Sequence, residues 1–222
     1  MSREEEIRNG LFEQILAGHG KEVRQLTEEG IAAGIQPLDI LFGSLIPGLQ
    51  EVGRRFETGE YFVPEMLVSA KAMQEALRIL RPQLAETGLK PLGRILMLTV
   101  KGDLHDIGKN LCNIMLEGAG FEVVDLGVNV APEKMVAAIR EHHPAVVGFS
   151  ALLTTTMPMF KTNLEALHKA GLREQVKVMV GGAPVTQEYA VVIGADGYAP
   201  DASAAVRLAQ TLLATSEAAR PA

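Results

Sequence analysis

The sequence predicts an α/β chain in two parts, a bundle of four helices followed by a parallel sheet wrapped by helices. Three observations carry this. Apolar residues recur at helical spacing up to residue 86; beyond residue 92 short apolar runs alternate with amphipathic stretches; and residues 86–92, Glu-Thr-Gly-Leu-Lys-Pro-Leu, hold Gly88 and Pro91, both helix breakers. The expected organisation is therefore a helical domain at 1–86, a linker at 87–92 and a sheet domain at 93–222.

In the helical part the first stripe is Ile7, Leu11, Phe12, Ile15 and Leu16, and the second is Val23, Leu26 and Ile31. The third is Leu38, Leu41, Leu45, Ile46, Leu49 and Val52, and the fourth is Met66, Leu67, Ala70, Met73, Leu77 and Leu80. Gly18 and Gly20, then Gly34 and Pro37, then Gly59 separate them, and Pro64 suits the first turn of the last helix.

In the second part the strands are expected at 94–100, 122–126, 145–149, 177–180 and 197–198. Helices fill 107–119, 132–142, 155–170, 186–193 and 202–215. Five strands alternating with five helices make a flavodoxin-like doubly wound domain, which binds ligands at the carboxyl ends of its strands where the strand order reverses.

Composition narrows the function classes. No apolar run approaches the length of a membrane span, and the start, Met-Ser-Arg-Glu-Glu-Glu, has no signal-peptide pattern, so a cytoplasmic protein is expected. One cysteine, Cys112, excludes an internal disulfide and a multi-cysteine metal site within one chain, and its place in a helix suggests packing. A net charge of −6 argues against a nucleic-acid partner. His142 and His143 suit a helix end, and residues 216–222 read as a disordered tail.

The chemistry gathers in the loops after the first, third, fourth and fifth strands. Residues 101–108, Lys-Gly-Asp-Leu-His-Asp-Ile-Gly, set Asp103 and His105 in a glycine-bounded loop directly after the first strand. There one ring nitrogen can face a ligand while a carboxylate holds the other. Ser150, Leu152 and Thr154 follow the third strand, Gly181-Gly182-Ala-Pro the fourth, and Tyr198-Ala-Pro-Asp201 the fifth. Singly, these are a polar loop residue, a helix cap and a tight turn. Together they occupy one edge of one sheet.

That set resembles the cobalamin-binding signature of corrinoid-dependent methyltransferases, Asp-x-His-x-x-Gly, then Ser-x-Leu, then Gly-Gly. The 41 residues between Gly108 and Ser150 and the 28 between Leu152 and Gly181 are similar to the family's spacing. Residues 52–66 and 69–73 resemble the helical cap that such proteins place over the cofactor. The resemblance implies cobalamin bound base-off and His-on, with His105 as the lower cobalt ligand, Asp103 accepting its other ring proton, and Ser150 extending that relay. It further implies that Gly102, Leu104 and Asp106 line the cofactor, and that Gly108, Gly181 and Gly182 leave room for its nucleotide tail. Leu152, Thr154, Tyr198 and Ala202 are expected along the same cleft, and Phe56 and Val63 over the methyl face, with Met66 and Met73 beside them.

The activity implied is carriage of a methyl group on cobalt, cycling between Co(I) and methyl-Co(III). A substrate-specific methyltransferase would load it, an acceptor methyltransferase would unload it, and a reductive activator would rescue oxidised cobalt. The linker near Gly88 and Pro91 is the expected hinge. Other readings are a cobalamin-based sensor, the cobalamin domain of a mutase, and a regulatory module with Asp103 as phosphoacceptor. Two positions depart from the pattern: Asn129 stands where relatives commonly carry a second acidic residue, and Val63 where a leucine is frequent.

Overall fold

The structure is a computed structural model that describes residues 2–86 and 91–218. Residues 87–90 of the expected linker and 219–222 of the expected tail lie outside the described residues. The chain divides into two compact units, Met1–Lys90 and Pro91–Ala222, so the boundary falls inside the expected linker.

The first unit is helical. Helix α1 (Arg3–Ala17) begins at a capping box in which the Glu5 amide donates to Ser2 Oγ at 3.2 Å and the Ser2 amide to Glu5 Oε2 at 2.7 Å. It ends at Gly18 in the left-handed region, where a Cβ would stand 2.4 Å from Val68 Cγ2. Helix α2 (Gly20–Ala32) follows, then α3 (Pro37–Ile40), which passes through a π-helical turn (Leu41–Leu45) into α4 (Ile46–Glu57), and finally α5 (Val63–Glu86). The π turn has a local cause: Pro47 has no amide hydrogen to continue the regular ladder, and a widened turn absorbs the missing bond. Helix α1 packs on α2, α4 and α5 around Ile7, Leu11, Ile15, Ile40, Leu45, Met66, Met73 and Leu80, all fully buried. Met66 and Met73 are thus bundle core, because the α5 stripe that carries them faces inward.

The second unit runs β1 (Arg94–Thr99), α6 (Ile107–Gly118), β2 (Glu122–Asp125), α7 (Pro132–His142), β3 (Val146–Ser150), α8 (Pro158–Lys169), a 3-10 turn (Arg173–Gln175), β4 (Lys177–Gly181), α9 (Gln187–Ile193), β5 (Gly197–Ala199) and α10 (Ala202–Ala218). All pairings are parallel, in the order β2-β1-β3-β4-β5. The order reverses between β1 and β3, which puts the ligand crevice at their carboxyl ends. Continuous apolar runs in β1, β3 and β4 are explained by helices on both faces. Phe149 stacks on Phe160 with ring centres 6.2 Å apart in this core. At the carboxyl edge the register aligns Thr99, Ser150, Gly181 and Ala199 in one row.

The expected strands and helices are present with small shifts of their ends. Helix α8 starts at Pro158 instead of 155, because Leu153 O takes the amides of Thr156 and Met157 in a tight turn first. Helix α10 continues to Ala218, beyond the expected end at 215 and into the segment expected to be disordered. No described helix is long and apolar enough to cross a membrane.

Candidate functional site

The centre of the site is the carboxylate of Asp103, which is fully buried. The chain turns out of β1 through Gly102, at φ +86, and the Asp103 amide donates back to Val100 O at 3.1 Å. Asp103 Oδ1 accepts from the His105 amide at 3.0 Å and from His105 Nδ1 at 2.7 Å. Its Oδ2 accepts from the Leu152 amide at 2.8 Å, the Leu153 amide at 3.3 Å and Thr156 Oγ1 at 2.7 Å. One carboxylate therefore ties the loop after β1 to the loop after β3, across the reversal of strand order. Burial by itself pushes the Asp103 pKa up. The His105 amide, the Thr156 hydroxyl, the Leu152 amide and the His105 ring outweigh it and hold the carboxyl well below the usual range.

An ionised carboxylate only accepts, so the proton between Asp103 and His105 sits on Nδ1, and in the neutral imidazole the lone pair is then on Nε2. Nε2 has no hydrogen-bond partner among the described residues, and half of the His105 side chain is exposed. The backbone beneath is pinned by Thr99 Oγ1, which donates to His105 O at 2.9 Å. Large apolar side chains lie open beside it in sequence and along the β3 loop: Leu104 (70% exposed), Ile107 (71%), Leu152 and Leu153. Isolated exposed apolar residues are ordinary, but four on the two loops that Asp103 joins invite a ligand with a broad apolar face.

The residues fit a corrin. No group of three or more ligating side chains exists among the described residues, so His105 alone does not hold a bare ion. One imidazole does suffice as axial ligand to a cobalt already held by a macrocycle. Gly108 is exposed in the first turn of α6, and a Cβ there would meet nothing within 4 Å.

The two glycines after β4 differ from Gly108. At Gly182, φ +132, a Cβ would fall 1.8 Å from Ala151 O, so the backbone itself requires glycine. At Gly181 it would meet Ala199 O at 3.0 Å. Ser150 ends β3, its carbonyl taken by the Val100 amide; among the described residues its hydroxyl is not bonded to Asp103 or His105, and Thr156 supplies that contact instead. The reason is geometric: Ser150 is still within the sheet, while the turn after Leu153 brings Thr156 back over the carboxylate. Thr154 is exposed, Tyr198 half-buried in β5, and Ala202 buried at the start of α10. Asp106 Oδ2 accepts from Asn110 Nδ2 at 3.1 Å, stiffening the first turn of α6. Burial pushes the Cys112 thiol up to about 12, which keeps it protonated at neutral pH.

The structure brings Asp103, His105 and Leu152 together by direct hydrogen bonds, adds Thr156, which sequence reasoning passed over, and gives a bonding role to Asn129, which the sequence marked only as a departure from the family pattern. Thr156 is one of three consecutive threonines, and only the turn decides which reaches Asp103. Asn129 accepts from the Gly102 amide and donates its own amide to Asp103 O. Its signal was a lone asparagine in the turn after β2.

Phe56 and Val63 belong to the other unit. Phe56 is half-buried on α4 and Val63 exposed at the start of α5, next to Phe62, which is 65% exposed and the more open of the two aromatics. The turn that presents them is secured by Arg55, which donates to Tyr61 OH at 3.1 Å with its guanidinium 5.3 Å from the ring centre, and by Tyr61 OH, which donates to Leu16 O at 3.2 Å. Glu51 bridges Arg54 and Arg55, and their hydrogen bonds pull its carboxyl down to about 2.

Residues 93–207 match the B12 binding domain family, and residues 7–81 match a second family of the same description. A corrinoid protein of Desulfitobacterium hafniense is 39% identical over 206 residues, 91% of this chain and 95% of that one. The trimethylamine corrinoid protein of Methanosarcina barkeri is 41% identical over 208 residues, 93% of this chain and 96% of that one. The solved methanol:cobalamin methyltransferase complex of Methanosarcina barkeri superposes with a TM-score of 0.82 at 30% identity, covering 94% of this chain and 80% of that one. A buried carboxylate orienting a half-exposed imidazole at the reversal of a parallel sheet thus coincides with sequence likeness over nine-tenths of the chain, and the protein belongs to the family of B12-binding corrinoid proteins of methyltransferase systems.

Proposed function

We propose that this chain carries a methyl group on cobalamin between two methyltransferases in the cytoplasm, holding the cofactor base-off with His105 as the lower cobalt ligand. The observation that carries the reading is the His105 ring itself, with Nδ1 bonded to a fully buried carboxylate and Nε2 unpartnered among the described residues at the strand-order reversal. When bound, the cobalamin supplies a cobalt that takes up a methyl group in its Co(I) state and gives it up again from methyl-Co(III).

The protein's own residues orient and pack. Asp103 fixes the His105 tautomer and ring plane and makes the imidazole a stronger donor. The exposed Leu104, Ile107 and Leu152 offer an apolar seat for the corrin disc. The open side of Gly108 and the row formed by Ser150 and Gly181 support a slot for the nucleotide tail on the same edge, with Gly182, Thr154, Tyr198 and Ala202 along it. The partners are a substrate-specific methyltransferase, an acceptor methyltransferase and a reductive activator; the likeness to a protein of a methanol:cobalamin methyltransferase complex supports the first.

The test is reconstitution of the full chain with hydroxocobalamin and with methylcobalamin, beside H105A. Stoichiometric retention with a visible spectrum that shifts in H105A is the expected result. A wild type that fails to retain cobalamin, or an unchanged spectrum in H105A, overturns the proposal.

A further inference from the structure

The loop between β2 and α7 reaches the histidine loop from a fixed base. Asp125, at the end of β2, accepts from the buried Lys109 ammonium at 2.5 Å through Oδ2 and from the Gly127 amide at 2.9 Å through Oδ1. The loop's two flanks are bonded to β1. The Leu126 amide donates to Met97 O at 2.9 Å, the Thr99 amide to Gly127 O at 3.0 Å, and the Val130 amide to Thr99 O at 3.0 Å. At the tip, Asn129 takes a left-handed φ of 53°, a conformation asparagine adopts more readily than most residues with a Cβ.

In that conformation one residue grips the backbone around Asp103 twice. Asn129 Oδ1 accepts from the Gly102 amide at 2.8 Å, and the Asn129 amide donates to Asp103 O at 3.0 Å. The Asn129 side-chain amino group has no hydrogen-bond partner among the described residues. What the position uses is an acceptor and a tolerance of left-handed backbone, not the amino group. These two bonds leave the Asp103 side chain free for His105 and for the β3 loop.

We infer that Asn129 is a positioning residue for the lower cobalt ligand: by holding Gly102 and the Asp103 carbonyl it fixes the carboxylate from which the His105 ring hangs, and with it the place of Nε2. The inference rests on the proposed role of His105. Aspartate meets both requirements of the position, whereas glycine meets only the backbone one, so N129D and N129G separate the hydrogen bond from the fold.

The experiment titrates full-length wild type, N129G, N129D and H105A with hydroxocobalamin, followed by visible absorbance, with thermal unfolding of each cobalamin-free protein alongside. N129G should bind roughly tenfold more weakly, in line with the loss of a partner behind a metal ligand. It should also show a larger share of bound cobalamin without an imidazole ligand, at an unchanged unfolding midpoint. N129D should restore both affinity and spectrum. N129G with wild-type affinity and spectrum overturns the inference, as does N129D sharing the full defect of N129G, or a defect in N129G that only follows a fall in its unfolding midpoint. A wild type indistinguishable from H105A overturns instead the role of His105, and the two failures are thereby told apart.

Discussion

Two loops of this protein hold apolar residues open to solvent, and they are secured by opposite means. The loop after β1 is organised around one buried charge, Asp103, with every bond to it made inside the protein, beside the backbone bonds from Thr99 and Asn129. The turn between α4 and α5 is held by ion pairs in contact with water, Glu51 with Arg54 and Arg55, together with the hydroxyl of Tyr61. Burial makes the difference, because a charge removed from water must be fully paired, while an exposed pair exchanges one solvation for another. The first loop should therefore be stiff and intolerant of change, the second adjustable.

The largest expected effect is at Asp103. D103A strips the acceptor from three backbone amides, a hydroxyl and an imidazole, and should cost roughly 3–5 kcal/mol in urea unfolding of the cobalamin-free protein. A loss below about 1 kcal/mol would erase the contrast between the loops. Because the folded-state pKa of Asp103 is depressed, its contribution is fully present above its ordinary value of 3.8 and fades as pH falls through the lower folded value. The stability gap between wild type and D103A should accordingly stay constant from neutral pH to about 4 and close only below it.

Next is the pair of glycines on the same edge of the sheet. G182A forces a Cβ into Ala151 O at a φ of +132°, and should lower stability by about 1–3 kcal/mol or more. G108A meets open space in the first turn of α6 and should leave the unfolding midpoint unchanged or slightly raised. Its defect should appear only in cobalamin retention. A destabilised G108A with normal retention would show that this glycine, too, serves the fold.

Smaller effects belong to the other loop. Y61F loses the bonds to Leu16 O and Arg55 and should cost about 1 kcal/mol by the same unfolding measurement. E51Q should leave the midpoint within error of wild type, and high salt should change wild type as little. A large fall in E51Q would mean that the turn is as charge-dependent as the Asp103 loop.

Much of this was open to reading from residues. Element order, the flavodoxin-like sheet, the two-part division and the Asp103–His105 pair all rest on local patterns, since apolar periodicity reports which face is buried and a glycine-bounded loop after a strand reports a turn. Other features were not legible. Met66 and Met73 carry helical spacing whether they face a core or a ligand, and only the packing of α5 shows them inside the bundle. The identity of the hydroxyl on Asp103 was likewise closed to sequence, because Ser150 ends β3 and Thr154, Thr155 and Thr156 follow it within a few residues.

By itself the sequence determined that this chain is a helical bundle joined to a doubly wound sheet with an imidazole and a carboxylate at one strand end, because backbone preferences and burial patterns act between near neighbours. The tertiary structure decided that Thr156 and Asn129 complete the site and that the backbone requires glycine at 182 but not at 108. Those contacts join loops tens of residues apart, and only the fold sets the distances between them.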